Sequence, residues 1–315
     1  MMQNKPKVLA VCGPTASGKT WLGVELARLL DGEIISADSM QIYKGMDIAS
    51  AKPSEEEKKG IPHHLMDFLD RDVTFSAADY VVLAHEKIRD ILSRGKFPII
   101  VGGTGLYIDS LLNNITFSES KGDEEYRRSL YDYAEKNGKE ALYKRLVDAD
   151  PEAAEQIHIN NLVRVVRALE VIHETGRKFS ELKEESRRVE SPYDSVIIGL
   201  NAVDRGVLYD RINRRVDEMV ENGLVEEARQ LWQSSPMKTA ANAIGYKELI
   251  PYFENKTSLV ECIDKIKQET RRYAKRQLTW FRRNDSIEWL MIDDFSEKCE
   301  ILEKCKKSIA KYGII

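Results

Sequence analysis

The chain has 315 residues, 42% of them apolar and 32% charged, with a formal net charge of −4. That length suits one large α/β domain or a core carrying an inserted domain, and the composition is that of an ordinary soluble protein. Without repeats, low-complexity tracts or apolar runs near the ~20 residues that cross a bilayer, the fibrous, disordered and helical-membrane classes are excluded.

The opening MMQNKPKV lacks the apolar core of a signal peptide. Cys12, Cys262, Cys299 and Cys305 are scattered and form no CxxC pair, the pattern of a reduced, cytoplasmic protein without structural zinc. Net charge alone does not argue for or against a nucleic-acid partner, because an acidic chain can still segregate its basic residues.

Residues 8–11 are a short apolar run that reads as a buried strand. Gly13 breaks it, and Gly18-Lys19-Thr20 opens a run with helical spacing at Leu22, Leu26, Leu29 and Leu30. Between them Gly13, Pro14, Thr15, Ala16, Ser17, Gly18, Lys19 and Thr20 carry the spacing G-x-x-x-x-G-K-[ST] of a phosphate loop. Glycines there let several backbone N–H groups turn inward beside the positive end of a helix. Lys19 adds a mobile charge, and Thr20 a hydroxyl suited to Mg²⁺. The bland alternative is an ordinary strand-to-helix turn.

Residues 33–37 (EIISA) read as a second buried strand, ending at Asp38-Ser39. Polar residues at the carboxyl end of a parallel strand face the crevice where open α/β sheets bind ligands, although an aspartate there can also simply cap a turn. Residues 41–53 have no clean period and read as a substrate-facing loop; residues 55–59 are a charged surface run. In Pro62-His63-His64-Leu65 adjacent side chains on extended backbone point to opposite faces, which disfavours one shared metal ion. Residues 75–92 have helical spacing with Ser76 able to cap, and residues 97–101 (FPIIV) form a third strand running into Gly102-Gly103-Thr104-Gly105. Such alternation implies a parallel sheet with right-handed crossovers.

From about Phe117 the character changes. Residues 123–188 are almost all helical pattern, an all-α insertion expected to close over the site, with Pro151 and Asn160-Asn161 as helix starts. Strand pattern resumes at residues 195–200 and 288–292, with helical stretches at 207–222, 224–232 and 259–283 between them. The expected organisation is a P-loop α/β core with a parallel sheet flanked by helices. Residues 1–116 and 195–315 make that core, and residues 117–194 the helical insertion. Residues 270–283 (TRRYAKRQLTWFRR) hold six basic residues and no acidic one, with Tyr273, Trp280 and Phe281 interleaved. Arg272, Arg276, Thr279 and Arg283 fall on one helical stripe, which suits a phosphate backbone with stacking or, equally, a solvated face.

In order along the chain, GPTASGKT, DSMQIYKGMDIASAKP, PHHL, VGGTGLY, DRGVLYDRINRRVDEMVENGL, AIGYKEL and RRYAKRQLTWFRR resemble the bacterial tRNA dimethylallyltransferases from residue 13 to residue 283. The resemblance implies transfer of a dimethylallyl group from dimethylallyl diphosphate to N6 of the adenosine directly 3′ of the anticodon, in tRNAs reading codons that begin with U. It also implies Mg²⁺, and a phosphate loop that holds the donor's diphosphate through residues 13–20. Asp38 falls at the family's general-base position, while Thr104 and Arg211 match positions at the diphosphate end of the reaction channel. Ser39, Met40 and Gln41 match the segment that holds the extruded adenine. Arg127 and the segment Asn160, Asn161, Leu162, Val163, Arg164 match tRNA contacts, the run 243–247 is a further candidate for the anticodon arm, and the basic stripe adds Arg272 and Arg276. The zinc finger of eukaryotic members has no counterpart before residue 315, which groups the chain with the bacterial enzymes. No protein partner is evident, so a monomer is expected. A small-molecule kinase, a prenyltransferase of free AMP or ADP and a non-catalytic RNA-binding NTPase switch are the competing readings.

Overall fold

The computed structural model describes residues 5–115, 123–187, 189–234 and 243–315. Its strands are β1 (Lys7–Cys12), β2 (Gly32–Ser36), β3 (His63–His64), β4 (Phe97–Gly102), β5 (Asp194–Asn201) and β6 (Ile287–Met291). They form one sheet in the order β3-β2-β4-β1-β5-β6, parallel throughout. Val8, Leu9, Ala10, Val11 and Cys12 are all fully buried. The central strand is therefore covered on both faces, as a continuous apolar run requires in a parallel sheet. Two short pieces of β structure were not legible from the sequence pattern. One is β3, only two residues long; the other is the isolated bridge of Tyr43 to Leu69.

The chain divides into two units, residues 1–112 with 192–315, and residues 113–191. The first unit holds the sheet with α1 (Lys19–Leu29), α2 (Glu55–Lys58), α3 (Ala77–Ser93) and α4 (Gly105–Leu112). The second unit is α5 (Glu124–Asn137), α6 (Lys139–Ala149), α7 (Pro151–Gln156), α8 (Leu162–Thr175) and α9 (Phe179–Arg187). The first unit resumes with α10 (Arg205–Glu221), α11 (Leu224–Gln233), α12 (Ile250–Phe253), α13 (Leu259–Phe281) and α14 (Lys298–Ala310). Residue 117, the expected start of the insertion, and Arg188 lie outside the described residues. Helices α2, α4, α12 and α14 had no counterpart in the pattern reading.

Leu9, Val11, Leu22, Leu26, Ile99 and Ile198 pack with Leu208 of α10, Leu278 of α13 and Ile309 of α14 into one core. A second cluster joins Ile42, Tyr43 and Met46 of the loop after β2 to Val216, Leu224, Tyr246, Leu249 and Ile266. That loop is therefore packed structure, although its sequence has no period. In the insertion Leu130, Leu142, Leu146, Val165, Val166 and Leu169 make a separate core. Buried Asp150 caps α7 through Ala153 N–H at 3.0 Å and accepts Ser180 N–H and Oγ–H at 2.8 Å each. Three or more hydrogen bonds to one carboxylate hold it ionised despite burial, and its pKa lies below the ordinary value. Among the described residues no helix is long and apolar enough to cross a membrane.

Candidate active site

Three loops leave the carboxyl ends of neighbouring strands and converge: residues 13–18 after β1, residues 37–41 after β2, and Gly103-Thr104 after β4. This is the edge at which open parallel sheets bind ligands. The first loop needs its glycines. Gly13 adopts φ +139°, and a Cβ there would lie 2.3 Å from the Leu200 carbonyl oxygen. Gly18 is left-handed at the N-cap of α1, with nothing near it. The first amides of α1 have no intrahelical partner and carry the helix's positive end.

Lys19 folds back so that Nζ donates to the Pro14 carbonyl at 2.6 Å. Burial first, then the Arg215 guanidinium, lowers its pKa to about 8. Arg215 itself is pushed down by burial, with Asp38 among the acids that oppose the shift, and it donates to Thr15 Oγ1 at 3.4 Å. Two cations thus share one desolvated corner of the site, where each is held below its usual pKa. An anion placed between them relieves both costs.

Across the cavity Asp38 is fixed by its own loop: Oδ1 accepts Met40 N–H at 2.9 Å and Gln41 N–H at 3.4 Å. Thr104 ties that loop to β4, since Oγ1 accepts Ser39 N–H at 3.0 Å and its own N–H donates to the Ala37 carbonyl at 3.0 Å. The approach is close because Gly102 has no side chain; a Cβ there would sit 2.1 Å from the Ala37 oxygen. The cavity encloses about 270 Å³, and Thr15, Lys19, Thr20, Asp38, Arg215 and Arg276 all line it. Ser39, Met40, Gln41, Ala49 and Ala243 are also on its wall.

The structure thus gathers Thr15, Ala16, Lys19 and Thr20 of the glycine loop with Asp38, Ser39, Met40, Gln41 and Arg276 around one space, with Thr104 bracing it. It does not bring every sequence candidate there. Arg211 is absent from the wall; its neighbour is Asp293, whose pKa it helps lower, and Arg215 one turn further along α10 takes the lining position. Arg272 pairs with Glu269 at 2.6 Å on the exposed side of α13. In the insertion Arg127 and Arg167 both clasp the fully buried Glu170, at 2.6 and 2.8 Å. At the start of α8 Asn161 caps Arg164 N–H at 3.4 Å, Val163 and Arg164 are exposed, Leu162 is half-buried, and Asn160 hydrogen-bonds Lys139.

Four further side chains shape the site, and of these Gln277 and Glu227 were given no role by the sequence reading. Gln277 and Tyr273 of α13 reach the loops from the far side of the chain. Glu227 of α11 accepts the N–H groups of Asp47, Ile48 and Ala49 at 2.9–3.2 Å and the Tyr246 hydroxyl at 2.6 Å, anchoring a wall of the cavity. His63, also on the wall, donates from Nδ1–H to the Ile61 carbonyl at 2.8 Å, and burial lowers its pKa.

The IPP transferase family profile matches residues 41–284. The tRNA dimethylallyltransferase of Thermoanaerobacter sp. (strain X514) is 48% identical over 309 residues, 97% of either chain. That of Bacillus subtilis (strain 168) is 49% identical over 290 residues, 92% of either chain. Among solved structures, the tRNA isopentenylpyrophosphate transferase of Bacillus halodurans superimposes with a TM-score of 0.73 at 44% identity, covering 98% of this chain and 96% of that one. A eukaryotic dimethylallyltransferase acting on tRNA gives a TM-score of 0.79 at 32% identity, covering 91% and 74%.

Proposed function

The chain belongs to the IPP transferase family and is a tRNA prenyltransferase, and we propose that it moves the dimethylallyl group of dimethylallyl diphosphate onto N6 of the adenosine directly 3′ of the anticodon, in tRNAs reading codons that begin with U. The observation that carries this reading is the placement of two cations, Lys19 of the phosphate loop and Arg215 of α10, in one cavity with Asp38. A diphosphate fits the first, and an exocyclic amine that must lose a proton fits the second.

Residues 13–20 receive the donor's diphosphate, with Lys19 and Arg215 meeting the charge that grows on it. Adenine N6 is a weak nucleophile because its lone pair is delocalised into the ring. As that lone pair bonds to C1 of the dimethylallyl group, the C1–O bond breaks and its electron pair leaves on the diphosphate. Asp38 accepts the N6 proton. Fixed donors aimed at the leaving group and a positioned base are the two standard contributions to such a step. Extruding the adenine costs a few kcal/mol, less in a loop than in a duplex.

Mg²⁺ suits this site through Thr20, a hydroxyl-bearing residue that lines the cavity beside Lys19. Among the described residues no group of three His, Cys, Asp or Glu could hold a metal. The donor set is then one hydroxyl with phosphate oxygens and water, the usual mode for this ion. When bound it would neutralise diphosphate charge. Arg127, the start of α8 and Arg272 are assigned to the tRNA backbone, and the compartment to the cytoplasm.

The test is label transfer. The protein is mixed with Mg²⁺, labelled dimethylallyl diphosphate and an anticodon stem-loop bearing adenosines 3′ of the anticodon, with AMP as a parallel acceptor. Label in the stem-loop alone is expected. Label in AMP alone, or ATP binding without transfer, overturns the reading.

A further inference from the structure

Beyond the last rung of the sheet, Cys12 beside Gly102, the β1 and β4 loops separate. One buried side chain spans them there. Gln277 accepts the Thr15 N–H on Oε1 at 2.9 Å and donates from Nε2 to the Gly103 carbonyl at 2.9 Å. It is only 6% exposed. Gly103 is shaped to this contact, since a Cβ there would lie 2.2 Å from Gln277 Nε2. Tyr273, one turn earlier on α13, interacts with both Thr104 and Gln277. From Gly103 the linkage continues through Thr104 to Ser39, the neighbour of Asp38.

Resting on the reaction proposed above, we propose that Gln277 is a positioning residue: its side-chain amide sets the spacing between the loop that holds the diphosphate and the loop that carries the base. The transferred carbon is tied to the first loop and N6 to the second. Reaction requires those atoms about 3–3.5 Å apart and in line, and a misplacement near 1 Å costs roughly 10²-fold. The primary amide suits the task because it offers one acceptor and one donor, in fixed geometry, to two backbone groups of opposite sense. Neither carboxylate nor ammonium supplies both. Gln277 touches backbone on both sides, so it acts through the loops.

The experiment compares wild type, Gln277→Met and Gly103→Ala. Methionine keeps the volume and removes both hydrogen bonds; the Gly103 change expels the same amide from the other side, and serves alone if the first variant does not fold. Donor and stem-loop dissociation constants and the single-turnover transfer rate are measured for each, after thermal unfolding shows the variant folded at the assay temperature. Expected is a transfer rate lowered about 10–100-fold with both dissociation constants within about threefold of wild type. A folded variant whose transfer rate stays within about threefold of wild type overturns the proposal. So does a loss confined to donor binding, which would make Gln277 part of the donor site only. Absence of transfer by wild type itself would instead refute the reaction on which the inference rests.

Discussion

Replacing Glu227 by alanine perturbs a wall of the site without touching the reacting groups. Its carboxylate receives three consecutive amides, Asp47, Ile48 and Ala49, and the Tyr246 hydroxyl. A hydrogen bond to a charged group contributes about 1.5–3 kcal/mol net. The Asp47 amide is exposed and resolvates on truncation, and bonds that share one acceptor do not add. The Tyr246 ring is buried and its hydroxyl would lose its acceptor. A loss of about 3 kcal/mol follows, which for a unit of this size lowers Tm by roughly 6–12 °C. Glu227→Gln keeps an acceptor with neutral-strength bonds and should cost about half as much. Because Ala49, Ser50 and Ala51 line the cavity, the donor KM should rise together with the stability loss. Thermal unfolding and steady-state kinetics of both variants make the test. A change below about 0.5 kcal/mol with unchanged KM would show that Lys52, bonded to the Tyr43 carbonyl and to Asp47 at 2.7 Å each, holds the loop alone.

Donor affinity should depend on pH through Lys19. The protonated amine binds the diphosphate and bound anion raises its pKa, so affinity is full below about 8 and falls as pH rises through that value. The slope approaches tenfold per unit, and Lys19→Met should flatten it in a calorimetric titration. Gly13→Ala forces a Cβ against the Leu200 carbonyl at a backbone angle that L residues rarely adopt; denaturant unfolding should show a loss of at least about 2 kcal/mol. Arg276→Ala should depress the transfer rate because Arg276 lines the cavity. Arg272→Ala, which breaks only an exposed pair with Glu269, should leave stability within about 0.5 kcal/mol while reducing the salt slope of stem-loop binding by about one.

The strand, glycine loop and helix at residues 7–29 and the other long strands were legible because their signals are local: an apolar run, a glycine and a helical period lie within 20 residues of each other. The place of Asp38 on the cavity wall was legible because strand ends in parallel sheets point to the ligand edge. What stayed hidden depends on partners far apart in sequence. Gln277 meets Thr15 across 262 positions, and nothing local separates it from any other helix-face glutamine. Arg211 and Arg215 occupy the same face of α10 one turn apart, so periodicity ranks them equally; only the packed helix puts Arg215 on the cavity wall. The His63–His64 strand is too short to show a period, and its pairing with Ile34 and Ile35 is a tertiary fact. The basic stripe divides in the same way, Arg276 turning to the cavity and Arg272 to a surface acid.

The role of Asp38 as base is tested most directly by single-turnover transfer with Asp38→Ala and Asp38→Asn, with donor and stem-loop dissociation constants measured on the same preparations. Loss of the proton acceptor alone should slow transfer by roughly 10²–10⁴-fold while both constants stay near those of the unaltered chain. A transfer rate within a few-fold of the unaltered chain would remove Asp38 from the chemistry and leave the cavity's carboxylate a turn-forming residue.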